Sequence, residues 1–251
     1  MKRPGRWRQG LIAYLYLTPA LLCLAVVYLY PVWQLFRLST KKVITYSRTV
    51  DVGLANFRFV LGDAIFARAI LNNLKLFLAV PVLVFLSLLL AALLHERIRG
   101  WRVYRALVFL PYVLPIPVVG VAFSHMLRLN GVLNTTLRRM GLEALALDWL
   151  GHPVMAMVSL LGVIVWKELG FGVILFLARL LAVRQELYDA AQIDGASWWQ
   201  RVWHISVPEL RPVIGFYAIL ELITMLSWVF SYVFTITGGG PANSTTVIEF
   251  Y

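Results

Sequence analysis

Five stretches of the chain stay apolar for longer than a soluble helix or strand requires. They run from about Leu11 to Phe36, Ile70 to Leu94, Ala106 to Leu127, Val154 to Leu177 and Val213 to Thr237. A helix crossing a hydrocarbon core about 30 Å thick needs roughly 20 consecutive, mostly apolar residues. Each stretch reaches that length. The pattern therefore predicts an all-α integral membrane protein, a polytopic bundle with spans at about 11–36, 70–94, 106–127, 154–177 and 213–237. No segment of about ten residues alternates apolar with polar positions as a lipid-facing barrel strand must, so strands are not expected.

Lys2, Arg3, Arg6 and Arg8 precede the first stretch, a layout shared with secretory leaders. Leader cores end after about 7–15 residues, whereas this one continues past Tyr28, Tyr30 and Trp33, which predicts an uncleaved first span. Prolines at positions 81, 111, 115 and 117 remove backbone donors inside apolar runs. Within a bundle, neighbouring helices satisfy the freed carbonyls, so kinked or broken spans are expected there.

Composition sharpens this picture. The 251 residues are 61% hydrophobic and 14% charged, whereas soluble domains average about 45–50% and about 25%. The net charge of +11 raises the question of nucleic acid. However, nearly all 23 basic residues lie between the apolar runs, where control of membrane topology puts them, and nucleic acid is not an expected partner. Cys23 is the sole cysteine, so no disulfide can form within the chain.

Orientation follows from the density of basic residues. The short connector from His95 to Arg105 carries Arg97, Arg99, Arg102 and Arg105, on the same side as residues 1–10. Short basic loops stay in the cytoplasm. That places the amino terminus and residues 178–211 inside, even though the loop after the first span also holds Arg37, Lys41, Lys42, Arg48, Arg58 and Arg68.

The cytoplasmic segment 184–212 is the most informative. Glu186 to Ile193 contains no helix breaker, and Gly195 is placed to end that helix in the left-handed conformation. Ser197 and Gln200 have capping-box spacing for a second helix, which Pro208 is expected to terminate or bend. A short helix presenting Ala190 and Ala191 between Asp189 and Asp194 can let another backbone approach while the carboxylates meet its donors. The alternative is an amphipathic loop lying on the membrane, with Glu186 and Asp189 forming a solvated face.

Asp189-Ala190-Ala191, then Asp194-Gly195-Ala196, then Pro208, preceded by Tyr188, resembles the EAA motif of membrane subunits of binding-protein-dependent ABC importers. Asp189 stands where that motif usually has Glu. The likeness extends to Tyr16-Leu-Thr-Pro-Ala20, Leu54-Ala-Asn-Phe57, Leu71-Asn-Asn73, Phe109-Leu-Pro-Tyr-Val-Leu-Pro115, Trp166-Lys-Glu-Leu-Gly170 and Thr237-Gly-Gly-Gly-Pro-Ala-Asn-Ser-Thr245. These stretches are similar to those of maltose-type and glycerol-phosphate-type carbohydrate permeases. The resemblance implies the type I importer fold and a plasma-membrane subunit. It implies as partners a second permease subunit, two ATPase subunits, an extracytoplasmic solute-binding protein and membrane lipid. The chain has no G-x-x-x-x-G-K-[ST] loop, so it needs no cofactor of its own and ATP is used by the partner ATPase. Such permeases continue into another span after the Gly-rich loop, so the chain is expected to hold five complete spans and the start of a sixth.

Polar residues inside the spans are candidates for the substrate path. Glu221, Thr224, Ser227 and Ser231 recur at helical spacing and are expected on one face, looking into the bundle or a watery path. Helix-to-helix hydrogen bonding is the competing role. Lys167 and Glu168 sit near the middle of the fourth span, and with Gly170 and Gly172 following they predict a broken helix lining a cavity, or else a structural pair. Asn72, Asn73 and Lys75 are expected at the outer edge of the second span. The histidines lack metal-site spacing, and no catalytic motif is present, so neither a metal site nor a catalytic residue is expected. A permease for glycerol phosphate or a polyamine is the alternative; a membrane-embedded enzyme or an ion channel is a remoter one.

Overall fold

The computed structural model describes residues 6–45, 48–96 and 99–251. Lys2, Arg3 and Arg97, used above for orientation, lie outside the described residues. The chain forms two units, residues 1–63 and 64–251.

In the first unit, α1 (Arg6–Leu24) continues through a wide turn (Ala25–Leu29) into α2 (Tyr30–Ser39). The Tyr30 N–H reaches the Ala25 carbonyl, five residues back. This extra residue in the turn falls just before Pro31, whose ring would otherwise crowd the preceding turn. From Tyr14 to Ser39 the helix is long and apolar enough to cross a membrane.

An antiparallel hairpin follows, β1 (Lys41–Thr45) with β2 (Arg48–Asp51). This corrects the expectation of no strands. The alternation argument concerned lipid-spanning strands, whereas these are short, mostly exposed and rich in the β-branched residues Val43, Ile44, Thr45, Thr49 and Val50. In α3 (Ala55–Gly62), the Asn56 amide donates to the Ser39 and Lys41 carbonyls at 2.8 and 2.9 Å, fastening the hairpin to the end of α2.

The second unit begins with α4 (Ala64–Leu76) and α5 (Ala79–His95), which together make a 32-residue apolar helix. Pro81 lies in the first turn of α5, where a missing N–H costs least. Next come α6 (Trp101–Val113) and α7 (Ile116–Met126), which meet at 95°. The break expected from the proline cluster falls at Leu114-Pro115, with Leu114 held extended by the proline that follows it.

After α8 (Val132–Arg139), the 28-residue α9 (Pro153–Leu180) forms the centre of the unit and packs against α5, α6, α12 (Val207–Ser227) and α13 (Val229–Ile236). Its Leu160, Ile164, Val173, Phe176 and Leu180 are fully buried. The break expected at Lys167–Gly172 does not occur, since α9 is continuous there. Close helix contact accounts for the glycines. A Cβ on Gly170 would lie 2.5 Å from the Val108 carbonyl oxygen, and one on Gly172 would lie 2.4 Å from Ser87 Oγ. Small residues of this kind let membrane helices touch backbone to backbone.

Between α9 and α12 lie α10 (Gln185–Ile193) and α11 (Trp198–Arg201), the latter joined to α12 by a second wide turn (Val202–Ser206). Pro208 therefore does not terminate the helix, which runs from Trp198 to Ser227. The Val207 N–H bonds to the Val202 carbonyl, five residues back, and this widening again precedes the proline. The fifth apolar helix consequently starts before residue 213 and ends at Ser227, with α13 separate beyond Trp228. Among the described residues, four helices are long and apolar enough to span a membrane, or five if the bent α6–α7 pair counts as one.

Candidate coupling and translocation sites

The 184–212 segment forms as its local chemistry dictates. Gly195 has φ +77°, and the Ala196 N–H reaches back to the Ala191 carbonyl at 2.8 Å, so α10 ends in the left-handed cap expected of it. Ser197 and Gln200 form the capping box: the Ser197 N–H donates to the Gln200 side chain at 2.7 Å and Ser197 Oγ accepts from the Gln200 N–H. Asp189, Ala190, Asp194, Gly195 and Pro208 are exposed, while Ala191 and Ala196 are half-buried. Tyr188 is turned inward and buried. Ala191, Asp194, Gly195, Ala196, Gln200 and Arg201 border a hollow of about 300 Å³.

Three contacts fix this element to the ends of the long helices, and a fourth joins two of those helices to each other. The Tyr188 hydroxyl lies 3.0 Å from Ser206 Oγ at the start of α12, and its ring stacks at a tilt on His95 at the end of α5. Burial pushes the Tyr188 phenol above its ordinary pKa, so it stays protonated and able to donate. Arg201 reaches Glu96, just past α5, at 3.0 Å. Arg179 at the end of α9 meets Glu209 on α12 at 2.6 Å. Sequence reasoning missed these partners, because nothing local marks pairs separated by 105 or 30 positions. It also missed Ile193, an apolar side chain 87% exposed beside the hollow.

A second group of polar residues lies inside the bundle. Lys167, Glu168 and Glu221 are each at most 5% exposed. Lys167 Nζ lies 3.3 Å from Glu168 Oε1 and 3.4 Å from the Tyr112 carbonyl, one of the carbonyls left over where α6 ends. The ammonium also sits 5.1 Å from the Tyr112 ring centroid. The Tyr232 hydroxyl donates to Glu168 Oε1, bringing α13 into the same network. Glu221 is on α12 one turn from Tyr217, and neither Glu221 Oε2 nor the Tyr217 hydroxyl has a hydrogen-bond partner among the described residues.

The four residues expected on one face do not share one helix, since only Glu221, Thr224 and Ser227 lie on α12. Glu221 is buried, Thr224 is half-buried with its hydroxyl returned to the Leu220 carbonyl, and Ser227 is exposed. Ser231 falls on α13, beyond the break at Trp228 that interrupts the helical spacing. At the opposite end of the unit from the 184–212 segment, Asn72 and Asn73 are buried. Asn72 donates to the Asn243 and Thr246 carbonyls and Asn73 accepts from the Ile248 N–H, so they clamp the Gly-rich loop 237–248.

Residues 60–250 match the family of binding-protein-dependent transport system inner membrane components, and the chain belongs to that family. It is 32% identical to the lactose transport system permease protein of Rhizobium radiobacter, over 95% of this chain and 80% of that one. To the trehalose/maltose transport system permease protein of Thermococcus litoralis it is 33% identical, over 97% and 83%. Among solved structures, a bacterial ABC transporter importing the acidic polysaccharide alginate aligns with a TM-score of 0.79 at 26% identity, covering 97% of this chain and 83% of that one. The protein is thus a membrane transport subunit with the permease fold, not an enzyme.

Proposed function

We propose that this chain is one of two membrane subunits of an ATP-driven carbohydrate importer, and that residues 184–212 receive the stroke of a separate ATPase pair. The observation that carries the reading is the mostly exposed Asp189–Ala196 surface, tied to the ends of α5 and α12 through Tyr188 and Arg201, while Arg179 and Glu209 join α9 to α12. A push on that surface moves helices rather than a slack loop. The amino terminus faces the cytoplasm, five spans precede the start of a sixth, and a binding protein delivers the solute from outside. Relatives named for lactose and for trehalose/maltose transport support a sugar as cargo. So does a similar structure described in complex with an alginate pentasaccharide-bound periplasmic protein.

Glu221, with Tyr217 beside it, offers the translocation path an unengaged carboxyl oxygen and hydroxyl, suited to sugar hydroxyls. Lys167 and Glu168, already engaged with Tyr112 and Tyr232, hold the broken α6–α7 segment and α13 around that path. Thr224, Ser227 and Ser231 are secondary contacts on it. Replacing Ala190 with Trp, or Gly195 with Asp, is expected to leave the chain inserted and co-purifying with the second permease while uptake is abolished. Normal uptake by both variants would remove the docking role.

A further inference from the structure

On the same side of the bundle as the 184–212 segment, α6 and α9 touch at Val108 and Gly170. They leave a groove of about 450 Å³ lined by Trp101, Arg102, Arg105, Ala106, Phe109 and Ile174. Its wall is hydrocarbon and aromatic ring, and its rim carries two guanidinium groups one helical turn apart. Arg102 rests 5.7 Å from the Trp101 ring centroid. Neither arginine makes an ion pair with a carboxylate among the described residues.

We propose that this groove holds one anionic phospholipid, its phosphate between Arg102 and Arg105 and an acyl chain along Phe109 and Ile174. An occupant that fits the groove meets two cations without a carboxylate partner at one end and an apolar wall at the other. A free phosphate would use only the first feature and an apolar helix of a neighbouring subunit only the second. The groove opens where a tryptophan and snorkelling arginines mark the boundary between acyl chains and head groups. Basic pockets between membrane helices on the cytoplasmic side hold acidic head groups. The orientation proposed above enters only in assigning the lipid to the inner leaflet.

The test uses the assembled importer in phosphatidylcholine nanodiscs containing phosphatidylglycerol, with retained lipid read by native mass spectrometry. Neutralising both charges (R102Q with R105Q) is expected to lower retention of phosphatidylglycerol on the order of tenfold, without changing retention of phosphatidylcholine. R102K with R105K should retain it. Equal phosphatidylglycerol retention by the neutral variant overturns the proposal. Ala106→Cys, in a Cys23→Ser background and carrying a photoactivated cross-linker, provides a reading in which both arginines remain. Cross-linking to phosphatidylglycerol supports the site, and cross-linking to the second permease subunit overturns it. Because both readouts are of lipid, their failure would leave the transport reading untouched.

Discussion

Arg201 in the cytoplasmic segment and Glu96 at the end of α5 stand 3.0 Å apart, although 105 positions separate them. The pair is partly exposed, so it contributes no more than about 1 kcal/mol to stability. In the proposed mechanism its role is mechanical, coupling the segment to α5. Glu96→Arg is expected to cut uptake severalfold while the melting temperature barely shifts. Combining it with Arg201→Glu should restore most of the uptake. Vesicle uptake assays on the three variants check this, and a double variant no better than the single would show that the contact carries no force.

Tyr188 and Ser206 form the buried counterpart of that link. Tyr188→Phe leaves the Ser206 hydroxyl without its partner, a loss of about 1 kcal/mol, whereas Tyr188→Ala also opens a cavity and costs about 3–5 kcal/mol. Thermal unfolding of the detergent-solubilised complex should rank wild type, Tyr188→Phe and Tyr188→Ala in that order.

Glycines along α9 provide an internal control on packing. Ala at Gly170 forces α6 away, and Ala at Gly172 presses on Ser87 and Tyr217, each costing about 1–3 kcal/mol. Gly162 has open space around its would-be Cβ, so Ala there should be neutral or slightly stabilising through helix propensity. The same unfolding measurement on the three variants distinguishes the sites.

Lys167 and Glu168 illustrate how much of this protein was legible in its sequence. That they would turn away from lipid, toward protein, water or each other, was expected, because charges within a span are too expensive to face lipid. The broken helix was not found, since the neighbouring glycines are also what close helix contact requires, and spacing alone does not separate the two uses. The turn at Leu114-Pro115 was legible, because a proline acts on its own backbone. Of the two outcomes expected at Pro208, termination did not occur, because the wide turn at Val202–Ser206 just before it absorbs the ring. The cap at Gly195 and the box at Ser197 and Gln200 are local and were read correctly. The separation of Ser231 from α12 was not legible, because nothing in the sequence marks the break at Trp228. The links from Arg201 to Glu96, Arg179 to Glu209 and Asn72 to the Gly-rich loop depend on tertiary placement, which one sequence does not display.

The buried pair also yields a prediction. Lys167→Met strands the Glu168 carboxylate and should cost about 3–5 kcal/mol, whereas Lys167→Met with Glu168→Gln removes both charges and should recover much of that loss. Yields of assembled complex and its unfolding temperature report the difference. A single variant as stable as the double would mean that the two charges are solvated instead of paired.

Ile193, exposed beside the hollow of the 184–212 segment, provides the most direct test of the whole account. In a Cys23→Ser background, Ile193→Cys is exposed to a membrane-impermeant maleimide in spheroplasts before and after permeabilisation. Labelling is expected only after permeabilisation, with protection when the ATPase subunits are bound. Labelling of intact spheroplasts would place the segment outside the cell, where no ATPase could drive it, and would contradict the account.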